Sequence, residues 1–205
     1  RRRGDWETAQ KMLEEAVDLY QVLDDQAGKA EALLNLGNIQ YEQGAYDEAE
    51  ALFQEALIAC EHLDSNQLTG DISMSLGVIR HVMGHHDEAI IHFTESLANF
   101  EVLADQRRIS QACHNLGLAY ADQGLWERAG MMYERALDIG RHNGEWSMVG
   151  LIYLCRSEMQ ALLADTAMAM GYAHKALEIF ERLKDPLGQA DTYKVFGRIS
   201  FEECM

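Results

Sequence analysis

The sequence predicts an all-α solenoid of about ten helices stacked as antiparallel pairs, and three observations predict it. First, the chain repeats itself every forty residues: Leu36-Gly37, Leu76-Gly77, Leu116-Gly117 and Phe196-Gly197 keep that spacing, as do Gly4, Gly44, Gly84 and Gly124. Second, apolar residues fall at i, i+3, i+4 and i+7 on both sides of each recurring glycine, the period of a helix with one buried face. Third, 205 residues with 48% hydrophobic, 25% charged and one proline supply enough apolar side chain for a row of small cores. That composition excludes a disordered, collagenous or disulfide-stapled chain.

The elements follow in order. A first helix is expected from about Asp5 to Leu23, before the capping residue Asp25. Further helices begin after Asp25, Ser65, Asp105 and Asp185, whose side-chain oxygens suit the free N–H groups of a first turn. Pro186 follows the last of these at the first helical position, where its missing N–H costs nothing. Glu145 is the weak member of the set, although Asn143-Gly144 before it marks a turn. The second helix of each pair starts after Gly44, Gly84 and Gly124. There Tyr46, Ala49, Leu52, Phe53, Ala56, Leu57, Cys60 and Leu63 make one stripe, and Asp47-Glu48 and Asp87-Glu88 put negative charge in first turns. Small residues at fixed places let paired helices approach closely. The steps run at about 4–43, 44–83, 84–123, 124–163 and 164–205, as one solenoid. The fourth departs, with Arg156-Ser157 for Leu-Gly and Ala164-Asp165-Thr166 at the turn, so its hairpin is expected to be looser or re-angled.

The run Asn35-Leu36-Gly37, Tyr41, Gly44, Tyr46, Ala49, Phe53, Ala56 resembles the tetratricopeptide repeat. So does its counterpart Asn115-Leu116-Gly117, Tyr120, Gly124, Trp126, Ala129, Tyr133, Ala136. The forty-residue step is similar to the subclass of kinesin light chains, spindle-orientation adaptors and bacterial regulators. The resemblance implies a right-handed superhelix whose first helices line a concave face. It implies a peptide-binding set at Leu34, Asn35, Asn38 and Tyr41; Met74, Val78 and His81; His114, Asn115 and Leu118; and Leu151, Leu154 and Glu158. Asn35 and Asn115 match positions that hold a peptide backbone in the family, which an amide does by giving and taking one hydrogen bond each. The lysines and arginines with which chaperone-binding members grip a carboxylate are missing from the first three rungs.

What the sequence implies is therefore a non-catalytic scaffold for protein–protein interaction. The alternative is a ligand- or peptide-sensing segment of a bacterial signalling or transcription regulator, with the fourth rung as its hinge. The net charge of −17 excludes nucleic acid held through counterion release and favours a partner with basic flanks and apolar anchors. The first two steps are the most acidic, so binding there should weaken with salt. No enzyme, cofactor or metal is expected. His81 and His85 share the i, i+4 spacing, but Gly84 intervenes and His86 takes the wedge position of Tyr46 and Trp126. Gly28-Lys29 lacks a phosphate-binding loop and Ser147 the glycines of a nucleophile elbow. The methionines Met131, Met132, Met168 and Met170 read as gap fillers, and Cys60, Cys113, Cys155 and Cys204 as small hydrophobes. Without Cys-x-x-Cys or an apolar stretch long enough for a membrane span, a cytoplasmic location is expected. The chain opens with Arg1-Arg2-Arg3 and stops at Met205 on a first helix. It is expected to be a piece of a longer protein, with Phe196, Ile199 and Phe201 unpartnered and some tendency to self-associate.

Overall fold

The computed structural model describes residues 3–202, with side chains from Trp6 to Phe201; the Arg1-Arg2-Arg3 side chains, Cys204 and Met205 lie outside them. The described residues form ten helices: α1 Arg3–Val22, α2 Gln26–Glu42, α3 Tyr46–Cys60, α4 Asn66–Val82, α5 His86–Val102, α6 Gln106–Asp122, α7 Trp126–Asn143, α8 Trp146–Leu162, α9 Thr166–Leu183 and α10 Pro186–Glu202. None is long and apolar enough to cross a membrane. The helices group into two compact units, Arg1–Asp105 and Gln106–Met205.

The caps explain where the helices start. Asp25 accepts from the Gly28 N–H at 2.9 Å, and Ser65 from the Leu68 N–H at 3.4 Å. Asp185 accepts from Leu187 and Gly188 at 3.1 and 3.2 Å. Glu145 caps nothing with its side chain, while Asp165 accepts from Met168 at 3.0 Å and so starts α9. The recurring glycine answers a backbone demand. Gly44, Gly84 and Gly124 have φ of 81°, 83° and 72°, a left-handed region that is costly for residues with a Cβ. At the fourth rung the same turn is made by Ala164 at φ 58°.

In the first unit, α2 packs on α3 and α4 on α5, with α1 on α2 and α3 on α4. The Leu-Gly pair explains this packing. Leu36 and Leu76 are buried, and a Cβ added at Gly77 would lie 2.5 Å from ring carbons of Phe93. Phe53 fills the matching space at Gly37. Two turns away, Gly70 receives Phe100, whereas at the corresponding places of the first hairpin Ala30 and the smaller Cys60 lie in one buried cluster. Ring volume on one helix is thus matched by a missing side chain on the other.

In the second unit, α6 packs on α7 and α8 on α9, with α10 on α9. Tyr133 seats on Gly117 as Phe53 does on Gly37. The fourth rung corrects the expectation of a looser hairpin, because α8 and α9 pack as extensively as the other pairs. Ser157 replaces the glycine, and the facing residue is buried Ala173 where the other pairs carry Phe53, Phe93 and Tyr133. Volume gained on α8 is lost on α9, and the Ser157 hydroxyl donates to the Ala169 carbonyl at 2.7 Å. Arg156, in place of leucine, lies against the Tyr172 ring at 4.6 Å and pairs with Glu134.

Candidate functional site

Within each unit only even-numbered helices touch across a hairpin: α2 meets α4 in the first, and α6 meets α8 and α8 meets α10 in the second. Among the described residues no odd-numbered pair does so. The even helices therefore lie on the tighter side of each unit's curve, where side chains from successive helices converge on one strip of surface.

Each unit has its own such strip, and each gathers one set of the candidate residues. In the first unit, α2 brings Leu34 and Tyr41, both half-buried, and exposed Asn35 and Asn38 beside Val78 and His81 of α4, also half-buried. The Tyr41 ring stands 5.6 Å from that of Tyr46, and burial raises its pKa. His81 meets His86 edge-on at 5.3 Å, so His86 occupies the wedge. Met74 is 6% exposed and offers almost no surface to a ligand. In the second unit, α6 brings His114, Asn115 and Leu118 beside Leu151, Leu154 and Glu158 of α8. Leu151 is 41% exposed and Leu154 only 8%. Glu158 pairs with Arg198 of α10 at 2.8 Å, one full repeat away. His114 packs against Tyr133, and burial pushes its pKa down to about 4.

Charge divides the units more sharply than it divides the repeats. Arg1–Asp105 carries 21 acidic against 6 basic residues, and Gln106–Met205 carries 13 against 11. Every described basic side chain of the first unit is already paired. Lys29 reaches Glu55 at 2.8 Å, Arg80 holds both Glu50 and Glu88, and Lys11 lies 4.0 Å from Glu15. Exposed Glu31 and Glu42 on α2 are left to set the sign of that surface. The thiols take no part: burial raises the Cys60 pKa and pushes that of Cys155 up to about 12, which keeps both protonated at neutral pH.

Sequence reasoning missed a groove on the second unit. A groove of about 530 Å³ is lined by Arg107 and Gln111 of α6, the start of α8 with Trp146, and Leu151 and Leu183. The signal was present. Trp146 stands where the other repeats have Gln26, Asn66, Gln106 and Pro186, at a first-turn position that the core stripe does not use.

Comparison with known proteins agrees with this geometry. No curated protein matches the sequence. Among solved structures, BtubC (BKLC) from P. vanneervenii has the same fold, with a TM-score of 0.75 at 18% identity, over 97% of this chain and 87% of that one. Aspartyl phosphate phosphatase F from Bacillus subtilis matches with a TM-score of 0.80 at 16% identity, over 90% of this chain and 49% of that one. A Rap protein complexed with competence and sporulation factor matches at 0.66 and 18%, over 94% of this chain and 58% of that one. The chain thus spans about half the length of the latter two. The tetratricopeptide repeat family model matches residues 1–61 and 68–142, and with Gly-aromatic packing repeated through the first three hairpins, the chain belongs to the tetratricopeptide repeat family.

Proposed function

We propose that the chain is a non-catalytic scaffold that holds a peptide or helix of a partner protein along its even-numbered helices. The supporting observation is the convergence of α2 and α4 on one strip. Leu34, Tyr41 and Val78 keep accessible apolar surface there, and the basic residues nearby are all paired. The partner of the first unit has apolar anchors and basic flanks: the anchors supply affinity and the charges speed encounter. Asn35 and Asn38, exposed on α2, hold its backbone. The structure similar to this chain that contains competence and sporulation factor supports a second reading, a peptide-sensing segment of a larger regulator. A cytoplasmic setting suits either.

The test is calorimetric titration of the chain with an amphipathic peptide carrying leucines at i, i+3, i+4 and i+7 and lysines elsewhere. Binding should weaken as salt rises and be lost on Asn38→Lys with Val78→Lys. Unchanged affinity in that variant, with its helical content intact, would move the site off α2 and α4.

A further inference from the structure

The groove at the start of α8 has a chemistry of its own, opposite in sign to the acidic strip of the first unit. A second pocket of about 130 Å³, lined by Trp146, Ile179, Arg182 and Leu183, adjoins it and shares Trp146 and Leu183. Trp146, Leu151 and Leu183 are 42%, 41% and 40% exposed, so the apolar floor is open to a partner. Arg107 lines the larger pocket and Arg182 the smaller. Both arginines are exposed and form no ion pair among the described residues. Glu145 is the one carboxylate lining either pocket.

We propose that this groove docks an acidic peptide segment carrying one bulky apolar side chain. The apolar group rests on Trp146 between Leu151 and Leu183, and the carboxylates lie against Arg107 and Arg182. Size and sign both lead there. The larger pocket, at about 530 Å³, falls in the range of about 300–1,000 Å³ typical of ligand-binding clefts and so has room for one bulky side chain. Tryptophan and arginine are also the residues that dominate binding when a partner excludes water from them. A basic segment would meet two unpaired guanidinium groups, and an arginine offers a carboxylate two parallel N–H donors. Adjoining pockets that share one ring suit consecutive groups of a peptide better than a small molecule. The site stands on residues of the second unit and shares only Leu151 with the strip described above, so either assignment can fail without the other.

The experiment uses the whole chain with 15N-labelled tryptophan. Its three tryptophans give three indole signals, and Trp146→Phe identifies the one of interest. The probes are a glutamate-rich peptide with one central leucine, its lysine-rich counterpart, the glutamate-rich peptide with serine for leucine, and glutarate. The glutamate-leucine peptide should shift the Trp146 signal saturably and leave Trp6 and Trp126 in place. The lysine and serine peptides should bind at least tenfold more weakly. Arg107→Glu with Arg182→Glu should weaken the first peptide to the same degree, whereas Asn38→Lys with Val78→Lys should not. The proposal is overturned by an unmoved Trp146 signal, by equal response to the lysine or serine peptide, or by glutarate binding as tightly as the peptide. The peptide comparisons decide the matter on the unaltered chain if the arginine variant does not fold.

Discussion

Exchange of volume between α8 and α9 can be reversed, and the energies are large enough to measure. In the other hairpins a glycine receives a ring: Gly37 with Phe53, Gly77 with Phe93, Gly117 with Tyr133. A Cβ at Gly77 would lie 2.5 Å from Phe93, so ring and Cβ cannot share the space. At the fourth rung Ser157 and Ala173, both fully buried, fill it instead. Ala173→Phe alone drives a ring into the serine and should cost about 1–3 kcal/mol. Ser157→Gly alone loses the 2.7 Å bond to the Ala169 carbonyl and adds a helical glycine. Those losses are about 1 kcal/mol and about 0.5–1 kcal/mol. The double variant rebuilds the arrangement of the first three rungs, so its destabilisation should fall below the sum of the two by about 1–3 kcal/mol. Urea denaturation of the four proteins, followed by circular dichroism, measures that coupling. Additivity within about 0.5 kcal/mol would refute the idea that the two residues share one slot.

Three further outcomes follow from the same residues. Ala164→Gly relieves a left-handed residue at φ 58° and should stabilise the chain by about 1 kcal/mol, read as a higher denaturation midpoint; Gly44→Ala should act oppositely. His114 is held neutral by burial, its pKa about 4 against the ordinary 6.5. Between those values the unfolded chain binds a proton that the folded chain does not. Stability should therefore fall as pH drops through that window, at up to about 1.4 kcal/mol per pH unit, and His114→Gln should flatten the fall. His92, lowered by burial, acts in the same direction. Met12, Leu19 and Val22 leave α1 with an exposed apolar face, so light scattering should show concentration-dependent association that Met12→Lys with Leu19→Lys removes.

Much of the fold was legible because its determinants are local and repeated. The forty-residue recurrence located the helix pairs, and Asp25, Ser65 and Asp185 cap the helices whose starts they marked. The fourth rung misled because Arg156-Ser157 was read by itself. Its compensation lies at Ala173, and a substitution judged without its facing residue looks like damage. Of the candidate strip, sequence could place a residue on a helix but not decide its depth. Met74 and Leu154 share register with half-buried Leu34, yet both are buried, because neighbouring side chains determine how much of each position reaches water. Trp146 escaped notice for the opposite reason. It belongs to no stripe, and only the fold brings Arg107, Leu151 and Leu183 around it.

The central claim, that a partner lies along the even-numbered helices, is tested most directly by site-specific photo-crosslinking of the first unit. Asn38 on α2 and Gln54 on α3 are both exposed, but only Asn38 lies on the inner strip. A benzophenone side chain at each position, irradiated with the leucine-lysine peptide bound, should give a covalent adduct from position 38 and none from position 54. An adduct from position 54 alone would place the partner on the outer helices and contradict the account.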